Sequence, residues 1–247
     1  MTAVYLAYGF NSHETLRRHA GEEAVDILVS LPSLKDWTKN RHEYNVARWV
    51  LDSGAFSAFY SGLKIELADY IAICKDVDAA EVFGLDVIRD VEGTKRNLDA
   101  MWSAGVPAIP TFHQGEPWAQ LEWCARSHPK IAISGKLKNR HQWIMECFRR
   151  VWPKPIHGFA YASWADIRLV PWHSVDASSW VKSPGGFGNW AGYTGTQMAI
   201  RSRRNKDYWI EAIAHQKRAA WARFRWRKQL ALCESMLTKE ALNVRTK

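Results

Sequence analysis

The chain has 247 residues, 47% of them hydrophobic, and a formal net charge of +9. This length suits one barrel or one to two smaller domains, and the apolar content is ample for a core. The longest apolar runs are short and broken by Lys, Asp or Gly, so we expect no transmembrane span and no membrane partner. The N-terminus lacks the basic and apolar regions of a secretory signal, which favours a cytoplasmic protein.

Strand-like runs can be traced along the first three quarters of the chain, with helix-like segments between most of them. The eight predicted strands are Val4–Tyr8, Ala24–Leu31, Arg48–Leu51, Glu81–Leu85, Ala108–Phe112, Lys130–Ser134, Ile156–Tyr161 and His173–Val175. Alternating strands and helices indicate a parallel sheet, and eight such strands predict a compact (β/α)8 TIM barrel in the α/β class. An open doubly wound sheet is the alternative, because the helix pattern within Lys35–Arg48 is poor.

The C-terminal part of the chain has a different composition. A glycine-rich segment from Ser183 to Gly195 predicts a loop, either a plain connector or a mobile flap. Residues 206–237 then have the spacing of a long helix, and residues 201–247 hold 13 Lys+Arg against 4 Asp+Glu, which accounts for the whole excess of positive charge. We expect a catalytic barrel at 1–182 and, at 183–247, this loop and a basic helical extension packed on the barrel.

A basic segment beside a neutral body indicates a polyanionic partner, most simply nucleic acid. A solvated basic helix with no partner is the alternative. The candidate nucleic-acid-binding residues are Arg201, Arg203, Arg204, Lys206, Arg218 and Arg225.

The cysteines give no metal site. Cys74, Cys124, Cys147 and Cys233 are far apart in sequence, and none belongs to a C-x-x-C pair. We expect reduced thiols in a cytosolic protein, no bound metal and no cofactor.

Polar residues follow four of the predicted strands. Asp52, Asp86 and Asp176 each end or follow an apolar run, and Gln114 follows a fourth. Each of them alone could be a helix cap or a turn residue. Together they fit one mouth, because the carboxyl ends of the strands of a β/α barrel converge where such barrels carry out chemistry. Two carboxylates at one mouth indicate acid/base and nucleophilic work on a bond such as a glycosidic bond.

The order of short motifs along the barrel resembles the tRNA-guanine transglycosylase superfamily, and most of all its DNA 7-deazaguanine transglycosylases from phage and bacterial DNA-modification systems. The motifs are Asp52-Ser53-Gly54-Ala55-Phe56, Gly84-Leu85-Asp86, Phe112-His113-Gln114-Gly115, Ile133-Ser134-Gly135, His157-Gly158-Phe159 and Ser174-Val175-Asp176. They span roughly residues 47–180. The resemblance implies a (β/α)8 barrel that exchanges guanine in nucleic acid for a 7-deazaguanine such as preQ0.

The resemblance also implies roles for individual residues. Asp176 would be the nucleophile that forms a covalent Asp–nucleotide intermediate, and Asp52 would be the general acid/base. Phe56 would stack on a base flipped out of the nucleic acid, and Asp86 and Gln114 would hydrogen-bond the purine edge. The implied substrate pocket consists of Ser53, Phe56, Asp86, Gln114, Gly135, His157 and Gly158.

The chain departs from the family members that act on tRNA. Those carry a Cys-x-Cys-x-x-Cys…His zinc site after the nucleophile, whereas only Cys233 follows Asp176 here. We therefore predict guanine exchange in DNA, by a pentosyltransferase without a zinc subdomain, with a partner protein possible for duplex opening. The alternatives are a tRNA substrate, a non-catalytic nucleic-acid-binding barrel, and a barrel enzyme for a free nucleoside or sugar.

Overall fold

A computed structural model of the chain describes residues 3–9, 12–136 and 138–178. Its strands are β1 Ala3–Ala7, β2 Val25–Ser30, β3 Val46–Asp52, β4 Glu81–Val82, β5 Thr111–His113, β6 Ile131–Ser134, β7 Ile156–Gly158 and β8 Ser174–Ala177. Its α-helices are α1 Ser12–Arg18, α2 Leu34–Asn40, α3 Ala55–Ser61, α4 Leu67–Asp76, α5 Val91–Ser103, α6 Trp118–Ser127, α7 Arg140–Val151 and α8 Trp164–Ile167. Two short 3-10 turns, Leu31–Ser33 and Arg41–Glu43, flank α2.

The strands form one parallel sheet in the order β4-β3-β2-β1-β8-β7-β6-β5. A parallel bridge between Phe83 and Ile109 joins the two ends of this order, so the sheet closes on itself. The bridge is secured by hydrogen bonds of 2.9 Å from the Gly84 amide to the Ile109 carbonyl and from the Ile109 amide to the Val82 carbonyl. The predicted (β/α)8 barrel is confirmed, and all eight predicted strands are present with shifted ends. The glycine-rich segment and the basic helix lie outside the described residues.

Side chains alternate between the two faces of the sheet, as the two-residue period of a strand requires. One set of buried side chains fills the barrel interior: Tyr5, Leu28, Val50, Phe83, Ile109 and Ala132. The neighbouring positions face outward and pack against the surrounding helices, as Leu6, Leu51 and Val175 do. Asp52 and Asp176 share the interior face with Val50 and with the other inward positions, so the alternation directs both carboxylates into the barrel mouth.

The turn between β3 and α3 depends on glycine. Gly54 precedes the helix with φ 69°, and Gly62 follows it with φ 70°. A Cβ atom on Gly54 would lie 2.7 Å from Cδ of Pro32, whereas one on Gly62 would meet no atom within 4 Å. Glycine is therefore required at position 54, because the backbone there is left-handed and the loop after β2 approaches closely. Gly54 fixes the path of the chain directly after Asp52.

Candidate active site

The Asp176 carboxylate lies against groups from the neighbouring strand β7 and the loop that follows it. Its Oδ1 atom accepts a 2.6 Å hydrogen bond from the Ala160 amide and lies 3.7 Å from Nε2 of His157. Ala160 has φ 60°, a left-handed conformation that is uncommon for a residue with a Cβ atom. The loop after β7 thus adopts an energetically costly conformation that points the Ala160 amide at Asp176. Strained backbone conformations of this kind are often found at functional sites.

Asp52 lies at the last position of β3, and its Oδ2 atom accepts a 3.1 Å hydrogen bond from the Gly54 amide. Burial raises the pKa of Asp52 to about 6, although the amides of Gly54 and Ser53 oppose the rise, and the charge of Asp176 adds to it. The charge of Asp176 is therefore close enough to act on Asp52. A carboxyl group that titrates near neutral pH beside an anchored carboxylate is suited to donating and accepting a proton.

Asp86, His113 and Glu116 form a second group at the mouth. Nε2 of His113 lies 3.4 Å from Oδ2 of Asp86, and Nδ1 lies 3.3 Å from Oε1 of Glu116. The other Glu116 oxygen accepts a 2.9 Å hydrogen bond from the His113 amide. Burial raises the pKa of Asp86 to about 7, partly opposed by His113. The other Asp86 oxygen, Oδ1, is buried and has no hydrogen-bond partner among the described residues.

Gln114 packs directly against Gly135. A Cβ atom on Gly135 would lie 2.5 Å from Cβ of Gln114, so only glycine fits there. Nε2 of Gln114 donates a 3.0 Å hydrogen bond to Oδ1 of Asn139, and the Gly135 carbonyl accepts a 2.6 Å bond from the Tyr161 hydroxyl. The structure thus joins the loops after β5, β6 and β7 around these two residues.

Phe56 and Ser53 lie on either side of the same turn but differ in exposure. The Phe56 ring is 54% exposed, and the ammonium of Lys136 lies 5.2 Å from its centroid. Ser53 is buried, and its Oγ atom accepts a hydrogen bond of 3.4 Å from the Ala55 amide. Phe56 is therefore available to a ligand, whereas Ser53 stabilises the turn that carries Asp52.

His157 and Gly158 lie below the mouth and do not face it. The His157 ring is fully buried, and its Nδ1 atom is 2.9 Å from Oγ of Ser174. A Cβ atom on Gly158 would lie 2.5 Å from the Trp172 ring. His157 therefore lies next to Asp176 inside the barrel, and Gly158 allows β7 to pack closely on the outer layer. The pocket role of these two residues stays a prediction.

The remaining predicted residues, Arg201, Arg203, Arg204, Lys206, Arg218 and Arg225, lie outside the described residues, as does Cys233. In the described part of the chain, no three His, Cys, Asp or Glu side chains are grouped as metal ligands. No helix of that part is long and apolar enough to cross a membrane.

Sequence reasoning missed three groups at this site: the imidazole of His113, the carboxylate of Glu116 and the amide of Ala160. His113 directly precedes Gln114 in the sequence, and Glu116 follows His113 by three positions. A histidine and a glutamate close to a strand end could therefore have indicated further polar side chains at the barrel mouth. Nothing in the sequence indicates the backbone conformation of Ala160.

Comparisons with known proteins find similarity in fold alone. No family model and no curated protein sequence matches the chain. Among solved structures, a mutant tryptophan synthase alpha subunit from Pyrococcus furiosus is 9% identical with a TM-score of 0.45, over 87% of this chain and 95% of that one. Tryptophan synthase from M. tuberculosis is 8% identical with a TM-score of 0.48, over 90% and 93% of the two chains. A second Pyrococcus furiosus mutant alpha subunit is 9% identical with a TM-score of 0.46, over 90% and 96%.

The predicted reaction needs correction. The chain was expected to exchange guanine in DNA for a 7-deazaguanine, with a tRNA enzyme or a non-catalytic binding barrel as alternatives, but the matched structures are tryptophan synthases and not transglycosylases. The physical reason for the error is that the reaction was inferred from the order of motifs at the strand ends, and the residues of a barrel mouth alone do not fix a reaction.

Proposed function

We propose that the barrel is an enzyme of the pentosyltransferase type, which breaks the N-glycosidic bond of a nucleoside-like substrate by nucleophilic catalysis. The observation that carries this proposal is the pairing of Asp52 with Asp176: one carboxyl group has its pKa raised to about 6, and the other is anchored by the Ala160 amide. Two carboxyl groups with such different surroundings suit the two roles that glycosidic chemistry needs. Membership of the tRNA-guanine transglycosylase superfamily is part of this proposal, supported by the order of motifs at the strand ends.

The proposed reaction has two stages. In the first, an oxygen of Asp176 forms a bond to the anomeric carbon, the carbon–nitrogen bond breaks, and the departing base takes a proton from Asp52. In the second, an acceptor attacks the same carbon and loses its proton to Asp52, which releases Asp176 as a carboxylate. The acceptor is water in a hydrolase and a second base in a transferase.

A rim of exposed aromatic side chains supports a substrate that contains nucleotides. Phe56, Phe59 and Tyr60 on α3 are 54%, 45% and 65% exposed. The Arg89 guanidinium lies 5.6 Å from the Phe59 ring centroid, and Lys136 lies over Phe56. Aromatic faces flanked by cations bind bases by stacking and phosphates by charge. We propose a nucleic acid or nucleotide as the partner of this rim.

The test is a search for base release and for a covalent intermediate. The full-length chain is incubated with purine and pyrimidine nucleosides and with single-stranded and duplex oligonucleotides, and free base is measured by liquid chromatography. Acid-quenched protein is then examined by intact mass spectrometry for a glycosyl adduct, which peptide mapping should place on Asp176. The matched control is Asp26→Asn, because Asp26 lies at the opposite end of the sheet, paired with Arg48. Neither base release nor adduct across the whole panel would refute the proposal.

A further inference from the structure

The loop after β7 brings the Ala160 amide to Asp176 although the backbone of Ala160 is unfavourable. Ala160 has φ 60°, and its amide donates a 2.6 Å hydrogen bond to Oδ1 of Asp176. A conformation of this kind persists only where the surrounding structure holds it. The next residue along the chain, Tyr161, makes the contacts that hold this loop.

The Tyr161 hydroxyl connects the loop after β7 to the loop after β6. The side chain is buried, and the hydroxyl donates a 2.6 Å hydrogen bond to the Gly135 carbonyl. Burial raises the pKa of Tyr161, and the charge of Arg140 opposes the rise only in part, so the hydroxyl keeps its proton and stays a donor. Because a buried hydroxyl without an acceptor is costly, this bond fixes the residue directly after Ala160.

The Tyr161 ring packs against two further groups. It stacks on the Trp172 ring, with the centroids 5.3 Å apart, and the Arg140 guanidinium lies 5.9 Å from its centroid. Gly158 leaves room for this packing, because a Cβ atom there would lie 2.7 Å from Cδ2 of Tyr161 and 2.5 Å from the Trp172 ring. The position of Tyr161 is therefore set by packing as well as by its hydrogen bond.

A second connection between the same two parts of the barrel passes through Asp166 of α8, which is buried. Its Oδ1 atom lies 2.8 Å from Nε2 of His141, and its Oδ2 atom accepts a 2.9 Å hydrogen bond from Arg140. Both of these partners belong to the first turn of α7. The Asp166 carbonyl accepts a 2.9 Å hydrogen bond from the indole of Trp172, the ring on which Tyr161 stacks. The segment after Ala160 is thus held at both of its ends.

We propose that Tyr161 is a positioning residue for Asp176, which holds the loop after β7 against the loop after β6 and so keeps the Ala160 amide on the carboxylate. This inference rests on the proposed function, because its catalytic consequence requires Asp176 to be the nucleophile. Tyr161 acts through Ala160 and not on the substrate. Without the hydroxyl, the loop is free to relax toward an ordinary backbone conformation, which moves the amide away from Asp176.

The test is NMR of the full-length chain, labelled with ¹³C-carbonyl phenylalanine and ¹⁵N alanine. Phe159 and Ala160 form the only Phe–Ala pair in the sequence, so the Ala160 amide gives the single signal of an HNCO spectrum. Tyr161→Phe removes the hydroxyl and keeps the ring. The matched control is Tyr70→Phe, because the Tyr70 hydroxyl is also buried and donates a 2.8 Å hydrogen bond to a backbone carbonyl, that of Phe83.

In the parent protein, the Ala160 amide proton should resonate far downfield and exchange slowly with solvent, because its acceptor is a carboxylate. Asp176→Asn should move the signal upfield, since the acceptor is then neutral. Tyr161→Phe should move the signal in the same direction, and the amide proton should exchange about tenfold faster, because one hydrogen bond that opposes local opening is lost. Tyr70→Phe should leave the signal and the exchange rate as they are in the parent.

The proposed reaction supplies a second measurement. Tyr161→Phe should form the covalent adduct about 10- to 100-fold more slowly with unchanged substrate affinity, because a displaced catalytic group slows the chemical step. If Tyr161→Phe does not fold, the same measurements on Ser163→Ala decide instead. That variant loosens the second connection, because the Ser163 hydroxyl donates to Oδ2 of Asp166.

Three results would overturn the inference: an Ala160 signal that does not respond to Asp176→Asn, an unchanged signal in Tyr161→Phe, or a changed signal with adduct formation at the parent rate. The NMR measurement needs no turnover, so the two proposals fail separately. A changed signal without base release or adduct from any substrate would refute the proposed function alone. Base release and an adduct with an unchanged signal would refute only the role of Tyr161.

Discussion

The Ala160 amide donates a 2.6 Å hydrogen bond to Oδ1 of Asp176, from a residue whose φ of 60° lies in the left-handed region. Such a conformation costs a residue with a Cβ atom on the order of 1–2 kcal/mol, so the loop after β7 is held in place by its surroundings. The amide fixes the position of the Oδ1 atom of Asp176. The nucleophile role proposed for Asp176 requires a carboxylate that is held in one position in this way.

Asp176→Asn should abolish the covalent adduct and lower base release by on the order of 10³-fold or more, because an amide cannot replace a carboxylate nucleophile. The fold should persist, since the asparagine oxygen can still accept from Ala160. Initial rates and intact mass measure the effect, with Asp26→Asn as the control. Adduct formation by Asp176→Asn at the parent rate would assign the nucleophile to another residue.

The Asp52 carboxyl group should set a pH limit on the first stage of the reaction. Burial raises its pKa to about 6, so the protonated form that can donate to the base disappears as pH rises through that value. The rate of adduct formation should therefore fall on the alkaline side. Asp52→Asn should lose this limb of the profile together with most of the rate. Single-turnover rates across pH provide the measurement, and an unaltered alkaline limb in Asp52→Asn would exclude this role.

Asp86→Asn should make the protein more stable at alkaline pH. The pKa of Asp86 is raised by burial to about 7, so its protonated form stabilises the fold at low pH, and this contribution is lost as pH rises from about 4 through about 7. Asparagine stays neutral, and each pKa unit is worth about 1.4 kcal/mol, so a gain of about 2–4 kcal/mol is expected above pH 8 and little below pH 4. Urea unfolding of both proteins at acid and alkaline pH tests this. A gain that is equal at both pH values would assign the effect to packing instead of charge.

The positions of the two central carboxylates could be predicted from the sequence because they depend on regular structure. A two-residue period and a strand end place Asp52 and Asp176 at the same mouth, and parallel neighbours bring those ends together. His157 could not be placed in this way. It is the middle residue of β7, one position short of the strand end, and that single step puts its ring inside the barrel beneath Asp176.

The contact between His113 and Glu116 depends on a turn and not on a period. Gly115, with φ 107°, reverses the chain so that Glu116 reaches back to the His113 amide. A sequence pattern indicates that a turn is present but not which side chains it brings together. The reaction could not be predicted from the sequence, because barrel mouths of similar composition catalyse unrelated reactions.

Gly54→Ala should destabilise the protein more than Gly62→Ala, although both glycines have φ close to 70°. An alanine at either position pays for the left-handed backbone, roughly 1–2 kcal/mol. At Gly54 the new Cβ atom would also lie 2.7 Å from the Pro32 ring, whereas at Gly62 it would meet no atom within 4 Å. Overpacking of this kind costs about 1–3 kcal/mol more.

Because the Gly54 amide also donates to Asp52, Gly54→Ala should slow adduct formation, and Gly62→Ala should not. Urea midpoints and single-turnover rates of the two variants measure both effects, and equal losses would show that the Pro32 contact relaxes without moving Asp52.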